Sequence, residues 1–262
     1  MGLDQVQTPG EVQTPGEVRA PGQVRAPGRA RPAGPTGVDV LDNPAWHSLT
    51  GRHAALSEGN ELVRRFLPDV SPFAAVRSWD EPDVWDAIVD LVGPGGVFPV
   101  TGGDPALPAG WEVVAHGAGV QLVETDALAP RPDDEAVVLG AADVPDMLAL
   151  VGRTEPGPFA PRTHELGRYV GIRRDGRLVA MAGERLQPGG WTEISAVCTD
   201  ADHRGRGLAT RLVLDVAHHA HARGDRALLH AAEANTRAIA IYQRLGFTLR
   251  RRTVFGMVRT PG

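Results

Sequence analysis

Residues 194–217 decide the fold of this chain, and they read ISAVCTDADHRGRGLATRLVLDVA. The run Ile194–Thr199 is short, apolar and partly β-branched, which predicts a buried strand. After Gly205 and Gly207, apolar residues recur at four-residue spacing from Leu208 onward, as on one face of a helix. Glycine lets the backbone approach a bound group, and the N–H groups of a first helical turn are unsatisfied. The stretch therefore predicts a phosphate-binding turn between a strand and a helix.

A dinucleotide-binding turn is the main alternative, because it also joins a strand to a helix through glycines. That turn requires the pattern G-x-G-x-x-G and an acidic residue about 20 positions further on. Thr210 stands where the third glycine belongs. The next acidic candidates, Asp215 and Asp225, fall in the helix and in the loop after it, not at the end of a second strand. The pattern does not fit a dinucleotide.

Two motifs resemble those of the GNAT N-acetyltransferases. Arg204-x-x-Gly207-x-Ala209 is similar to the R/Q-x-x-G-x-G/A loop with which that family binds the pyrophosphate of acetyl-CoA. Residues 235–247 read NTRAIAIYQRLGF, which resembles the second signature, N-x-x-A with a tyrosine seven residues after the asparagine and a closing L-G-F. The resemblance covers residues 142–259 and implies a GNAT acyltransferase fold of the α/β class, with a mixed sheet.

The resemblance also implies acetyl-CoA as co-substrate and no metal. Backbone groups of the strand before the turn would bind the pantetheine arm, the turn would bind the pyrophosphate, and the asparagine of the second motif would contact the arm or the strand edge. The asparagine is also a good N-cap for its own helix. The residues so assigned are Val197, Cys198, Thr199, Arg204, Gly205, Arg206, Gly207, Leu208, Ala209, Thr210 and Asn235.

Glu193 is the first candidate for the catalytic base. It lies eleven residues before Arg204, the separation at which histone-type GNAT enzymes place their glutamate. Strict alternation along the strand predicts that Glu193 shares one face with every second residue as far as Thr199. The structural alternative is a glutamate that pairs with an arginine such as Arg185. His230 is a second candidate base, since imidazole titrates near neutral pH, and a water molecule alone is a third.

Tyr242 is the candidate acid, because it matches the tyrosine of the second motif. Its phenol would protonate the departing CoA thiolate. The alternative is a tyrosine whose ring simply packs on the core. Cys198 is the only cysteine and lies in an apolar strand, so we expect a buried hydrophobic residue rather than a nucleophile.

These residues together predict direct acetyl transfer from acetyl-CoA to a primary amine in a ternary complex. The acceptor would be a small-molecule or peptide amine. A non-catalytic acyl-CoA sensor and a transferase for a longer acyl-CoA stay open as alternatives. The formal net charge of −5 does not favour nucleic acid or an anionic membrane as partners. The single cysteine fits a reducing cytoplasm, and we expect a monomer or homodimer.

The chain is expected to have three parts. Residues 1–40 form a low-complexity tail, because a proline–glycine pair recurs every six residues and few apolar residues are available for a core. This composition predicts disorder. Residues 41–135 resemble the degenerate GNAT-like half that precedes the active domain in several GNAT enzymes. Residues 136–262 would be the catalytic domain.

The pattern of apolar residues and turn signals also predicts individual elements. We expect a helix from Asn43 to about Ser57 and a strand pair at 62–66 and 73–77. Two separate strands are expected at 111–116 and 120–124. A hairpin turning at Asp175-Gly176 precedes the central strand.

Overall fold

The structure is a computed structural model that describes residues 39–101, 103 and 105–262. The helices in this part of the chain are α1 (Pro44–Leu49), α2 (Val84–Val92), α3 (Val144–Thr154), α4 (Leu208–Ala222) and α5 (Thr236–Leu245). The strands are β1 (Ser57–Gly59), β2 (Val63–Phe66), β3 (Ala74–Val76), β4 (Val97–Thr101), β5 (Glu112–Glu124), β6 (Val137–Leu139), β7 (Tyr169–Arg174), β8 (Arg177–Glu184), β9 (Trp191–Thr199), β10 (Arg226–Ala232) and β11 (Phe247–Arg259).

Eight strands form one mixed sheet in the order β4-β11-β5-β10-β9-β8-β7-β6. Strands β9 and β10 run parallel, whereas the other neighbouring strands of this sheet pair antiparallel. Strands β1, β2 and β3 form a separate antiparallel sheet. The predicted α/β class with a mixed sheet is confirmed.

Strands from both predicted halves share the large sheet. Strand β5 lies between β10 and β11 and pairs antiparallel with each of them. Strand β4 pairs with the far side of β11. The predicted boundary between residues 135 and 136 falls in the connection from β5 to β6. That residues 41–135 are a degenerate GNAT-like half stays a prediction.

Helix α4 packs its apolar face on the sheet, as its four-residue spacing predicts. The residues of that face are buried: Leu208, Leu212, Val213, Val216, Ala217 and Ala220. Fully burying one leucine or valine side chain contributes about 1.5–3 kcal/mol, so this face anchors the helix. The start of the helix is thereby held at the end of β9.

The β7–β8 hairpin forms at the predicted turn. Asp175 and Gly176 have φ angles of 51° and 79°, the left-handed pair that a tight two-residue hairpin turn requires. The two strands pair from Tyr169 opposite Gly183 to Arg174 opposite Arg177.

Two predicted elements differ from the structure. Helix α1 ends at Leu49 instead of near Ser57, because the chain turns at Gly51 and the buried His53 ring bonds Ser48 Oγ and Leu166 O, both at 2.8 Å. The two strands expected at 111–116 and 120–124 are one strand, β5. Gly119 is not a break: a Cβ there would lie 2.1 Å from the Phe255 ring, so the glycine makes room for that ring.

The predicted tail, residues 1–40, lies outside the described residues except for its last two. Asp39 and Val40 instead open a short 3-10 helix that ends at Leu41. Val40 and Leu41 are buried against Trp191 and Leu228 of the large sheet. The described chain thus begins packed on the strands that carry the candidate site.

Candidate active site

The predicted phosphate-binding turn joins β9 to α4. Gly205 and Gly207 have φ angles of 77° and 75°, and a Cβ on either would meet no atom of the surrounding protein within 4 Å. The N–H of Arg211 donates to Gly207 O, so the first three residues of α4 have N–H groups with no partner inside the helix. Open space, left-handed glycines and free N–H groups together suit an anion.

Two arginine side chains stay beside this turn. Arg204 Nε donates to Thr199 O at 3.2 Å, and Arg206 Nη2 donates to Asp202 O at 3.3 Å. Both residues are exposed, and both contacts are to backbone oxygens, so neither bond neutralises the positive charge. The turn therefore carries two cations next to its free N–H groups.

Strands β9 and β10 diverge next to the turn. They pair over three residues only, ending with Leu228 opposite Glu193. Beyond this point β9 continues along β8 and β10 continues along β5, which leaves an opening between them. An unpaired strand edge presents N–H and C=O groups that an extended ligand can bond. The vertex of the opening is at Glu193 and Leu228.

A β-bulge changes the face of the residues on β9. Ser195 lies opposite Gly183 and Cys198 opposite Met181, so β9 has one residue more than β8 in this interval. Ala196 takes up the extra residue with a left-handed φ of 52°. The prediction of strict alternation from Glu193 to Thr199 is therefore wrong beyond Ser195. Cys198, not Thr199, continues the face that carries Glu193.

Glu193 is fully buried and is bound on every side. Arg185 Nη2 and Nε donate to its two oxygens at 2.5 and 3.0 Å, and His230 Nδ1 lies 2.8 Å from Oε1. Burial raises the pKa of this carboxyl, but the charges and hydrogen bonds of Arg185 and His230 outweigh it and leave the pKa well below its ordinary value. A carboxylate so stabilised is a weak base, which favours the structural alternative of an arginine pair for Glu193. Its catalytic role stays a prediction.

His230 links Glu193 to an adjacent cavity. Its side chain is 9 % exposed, its Nδ1 faces Glu193, and its Nε2 lies 3.1 Å from Gln121 Nε2. The Phe255 ring packs on the imidazole with the ring centres 6.1 Å apart. A histidine between a carboxylate and a cavity is the usual arrangement of a positioned general base.

The cavity beside His230 has a volume of about 30 Å³. Its walls come from the segment 41–45, from β10 and β11, and from the residues that follow β8. Phe73, Arg185 and Phe255 line it together with His230. Arg185 stacks over the Phe73 ring at 4.6 Å, so this cation is held by both Glu193 and an aromatic face.

Tyr242 lies on α5 and is 9 % exposed. Burial raises its pKa to about 12, so the phenol keeps its proton over the physiological range. Its ring packs edge-on against Phe247 at 6.3 Å, but none of the described residues forms a hydrogen bond with its hydroxyl. The ring of Tyr242 thus packs on the core, while its hydroxyl stays available as a donor to a ligand. Its role as acid stays a prediction.

Three other predicted site residues have defined surroundings. Asn235 caps α5 by accepting from Ala238 N at 3.2 Å, as its position predicts. Thr199 Oγ1, at the end of β9, is buried without a hydrogen-bond partner, which fits a position that a polar ligand completes. Cys198 is buried, and burial raises its thiol pKa to about 11, which does not suit a nucleophile.

Among the residues that the structure describes, no group of three or more His, Cys, Asp or Glu side chains could hold a metal ion. Over the same residues, no helix has the length and apolar character of a membrane span.

Comparisons with known proteins agree with this architecture. The profile of FR47-like proteins matches residues 169–256, and that of a repeat of unknown function matches residues 7–32. A candidate acetyltransferase of the GNAT family from Novosphingobium aromaticivorans is 36 % identical, covers 85 % of this chain and 99 % of its own, and superposes with a TM-score of 0.77. A GCN5-related N-acetyltransferase from Kribbella flavida is 21 % identical over 85 % of this chain and 96 % of its own, with a TM-score of 0.57. None of the curated proteins matches.

This chain belongs to the GNAT family of acetyltransferases. The fold that the two sequence motifs implied is confirmed, and general acyl transfer is the activity that the family supports.

Sequence reasoning missed Gln121, Arg250 and Phe255 as parts of the site. Gln121 is a polar residue in an apolar strand, 2 % exposed, and that contrast was the available signal. Arg250 opens a run of three arginines that suggests an exposed strand end, but its side chain is only 16 % exposed and donates to Gln121 Oε1 at 2.9 Å. These residues come from distant segments that only the sheet order brings to His230.

Proposed function

We propose that this protein is an N-acetyltransferase that moves the acetyl group of acetyl-CoA directly to a primary amine in a ternary complex. The observation that carries the proposal is the His230–Glu193 pair, at 2.8 Å, at the vertex of the opening between β9 and β10. The glycine turn lies at the far end of the same β9 edge. A thioester held along that edge would end beside the imidazole.

His230 is the base in this proposal, and Glu193 is a positioning residue. Nε2 would take the proton that the amine loses as its nitrogen attacks the thioester carbon. The Glu193 carboxylate would stabilise the resulting imidazolium through Nδ1, because it is already ionised and 2.8 Å away. Backbone N–H groups of the open β9 edge would bond the oxyanion. The C–S bond then breaks, and Tyr242 would give its proton to the CoA thiolate.

Acetyl-CoA would bind at the glycine turn and along β9. Gly205 and Gly207 allow close approach of the pyrophosphate, Arg204 and Arg206 balance its charge, and Leu208–Thr210 supply N–H groups. Asn235 and the β9 backbone at Val197, Cys198 and Thr199 would hold the pantetheine arm. The acceptor, a small-molecule or peptide amine, would enter from the cavity beside His230. A reducing cytoplasmic location fits this chemistry, and no metal takes part in it.

Thiol release tests the proposal. We expect the purified full chain to release CoA from acetyl-CoA with at least one class in a panel of small amines, amino acids and peptides, well above the rate without amine. Tight acetyl-CoA binding by calorimetry with no turnover on any amine would favour a sensor. Turnover only with longer acyl-CoA would overturn the acetyl assignment.

Substitution at the glycine turn is expected to weaken acetyl-CoA binding. Gly207→Ala places a side chain at a φ of 75°, which costs about 1–2 kcal/mol and corresponds to a KM for acetyl-CoA raised about 5- to 30-fold. Gly140→Ala is the matched control, because Gly140 has a φ of −131° and open space at its Cβ position. Equal KM values for the two variants would show that the turn is not part of the acetyl-CoA-binding site.

Tyr242→Phe is expected to lower kcat by about tenfold to a thousandfold, with KM for acetyl-CoA nearly unchanged, because the variant has no proton for the thiolate. With a pKa of about 12, the phenol contributes no basic limb to kcat below about pH 11, so the loss should be the same from pH 6 to 9. Tyr169→Phe, at the only other tyrosine, removes a buried hydroxyl without a hydrogen-bond partner and should keep full activity. Equal kcat for wild type and Tyr242→Phe would exclude the acid role.

A further inference from the structure

Gln121 lies directly beside the candidate base. It is the cross-strand partner of His230 in the β5–β10 pair and of Arg251 in the β5–β11 pair. Its side chain is buried and makes three polar contacts. Arg250 Nη1 donates to Oε1 at 2.9 Å, and Nε2 lies 2.9 Å from Leu41 O and 3.1 Å from His230 Nε2.

The donor and acceptor types of these partners determine the orientation of the amide. A guanidinium only donates, so the Gln121 atom that faces Arg250 is the carbonyl oxygen. The NH₂ group then has two protons, one for the carbonyl of Leu41 and one for His230 Nε2. If the amide were reversed, its NH₂ group would face the Arg250 guanidinium, donor against donor, and its oxygen would face the Leu41 carbonyl, acceptor against acceptor.

The same reasoning assigns the proton on the imidazole. Nε2 faces an amide donor and is therefore an acceptor, while Nδ1 faces the Glu193 carboxylate, which only accepts. The ring is then neutral with its proton on Nδ1. Three hydrogen bonds with the same donor direction link four groups, from Arg250 to Gln121, from Gln121 to His230 and from His230 to Glu193. The first group, a guanidinium, can only donate, and the last, a carboxylate, can only accept.

We propose that Gln121, oriented by Arg250, is a positioning residue that holds His230 as the neutral Nδ1–H tautomer with its Nε2 lone pair available as a base. The inference rests on the proposed function of this site. An imidazolium would place an N–H against the amide N–H, and Arg250 prevents the amide from turning its oxygen to meet it. The base is therefore kept unprotonated before the amine arrives. The 3.1 Å contact is a single hydrogen bond between neutral groups, so an amine N–H entering from the cavity can replace it.

Charged groups from each neighbouring element act on this histidine. Glu193 and, behind it, Arg185 face Nδ1, and Arg250 acts through Gln121. Asp42 and Arg251 line the same cavity and bond each other at 3.2 Å. Glu193 favours the imidazolium, while the Gln121 amide opposes it.

The test replaces the amide donor by a carboxylate of nearly the same shape. In Gln121→Glu a carboxylate would accept from a protonated Nε2, so the histidine should stay an imidazolium to higher pH by about one to three pH units. Gln243→Glu, on the exposed face of α5, adds the same charge elsewhere and is the matched control.

The readout is the nitrogen NMR spectrum of the full chain labelled with 15N-histidine, with His230 assigned by the loss of its signals in His230→Gln. We expect a protonated Nδ1 and an unprotonated Nε2 in the wild type at pH 8. The titration midpoint should move upward in Gln121→Glu and not in Gln243→Glu. A protonated Nε2 in the neutral wild-type ring, or an unmoved midpoint in a folded Gln121→Glu, would overturn the inference.

A second variant covers the case in which Gln121→Glu does not fold. Arg250→Gln removes the guanidinium that fixes the amide, so the Gln121 oxygen can turn toward Nε2 and accept from an imidazolium. The titration midpoint should then move upward in this variant as well, and an unmoved midpoint would overturn the role of Arg250. The acid limb of kcat/KM should move by the same amount as the NMR midpoint. The NMR result does not depend on turnover. If the spectrum showed the expected tautomer but no amine were acetylated, the proposed function would be contradicted and the inference about Gln121 would not.

Discussion

His230→Gln is expected to lower kcat/KM by about 10²- to 10⁴-fold, the range for loss of a positioned general base. The amide of glutamine can still bond Glu193 at one end, so the variant keeps the polar contact but has no titrating nitrogen. We expect acetyl-CoA binding, measured by calorimetry, to stay within about twofold of the wild type, because the proposed contacts of the co-substrate lie on β9 and the glycine turn.

The control for this variant is a histidine on the same sheet. His116 lies on β5 five residues before Gln121, so it points to the opposite face, and it is exposed. His116→Gln should have wild-type kinetics. If His230→Gln kept kcat/KM within twofold of the wild type, His230 would not be the base, and an unassisted amine or a water molecule would take its place.

Glu193→Ala is expected to destabilise the fold by about 3–5 kcal/mol, since it leaves the buried guanidinium of Arg185 without its partner. For a chain of this size, about 2–4 °C is lost per kcal/mol, so Tm should fall by about 6–20 °C. Glu58→Ala, which removes a 42 % exposed partner of Arg65, is the matched control and should cost at most about 1 kcal/mol.

The effect of Glu193 should depend on pH in a defined direction. Its pKa in the folded state is lower than in the unfolded chain, so the ionised carboxylate stabilises the fold above the ordinary glutamate pKa. This contribution is lost as the pH falls toward the folded-state pKa. The Tm difference between wild type and Glu193→Ala should therefore shrink as the pH falls below about 4. An equal Tm loss for Glu193→Ala and Glu58→Ala would mean that the buried Arg185–Glu193 pair stabilises the fold no more than the exposed Arg65–Glu58 pair does.

Local patterns predicted much of the C-terminal fold. The apolar spacing of α4, the Asp175-Gly176 hairpin turn and the N-cap of Asn235 each depend on residues a few positions apart, and all three are confirmed. The glycine turn joins a strand to a helix where the local pattern predicts it, and both of its glycines have a left-handed backbone. Where a glycine served a distant residue, as Gly119 does for Phe255, the local rule predicted a break that is absent.

The sequence by itself determined the family and the glycine turn. It also left two questions at the site: whether Glu193 or His230 is the base, and whether Glu193 acts in catalysis or only in an ion pair. The tertiary structure decided the contacts among them. The insertion of β5 between β10 and β11 places Gln121 opposite His230, 109 residues away in the chain, and Arg250 closes the same network. Which donor meets which acceptor in a buried site depends on the order and register of strands, and the pairing of distant segments is decided only when their apolar faces pack together in the folded sheet.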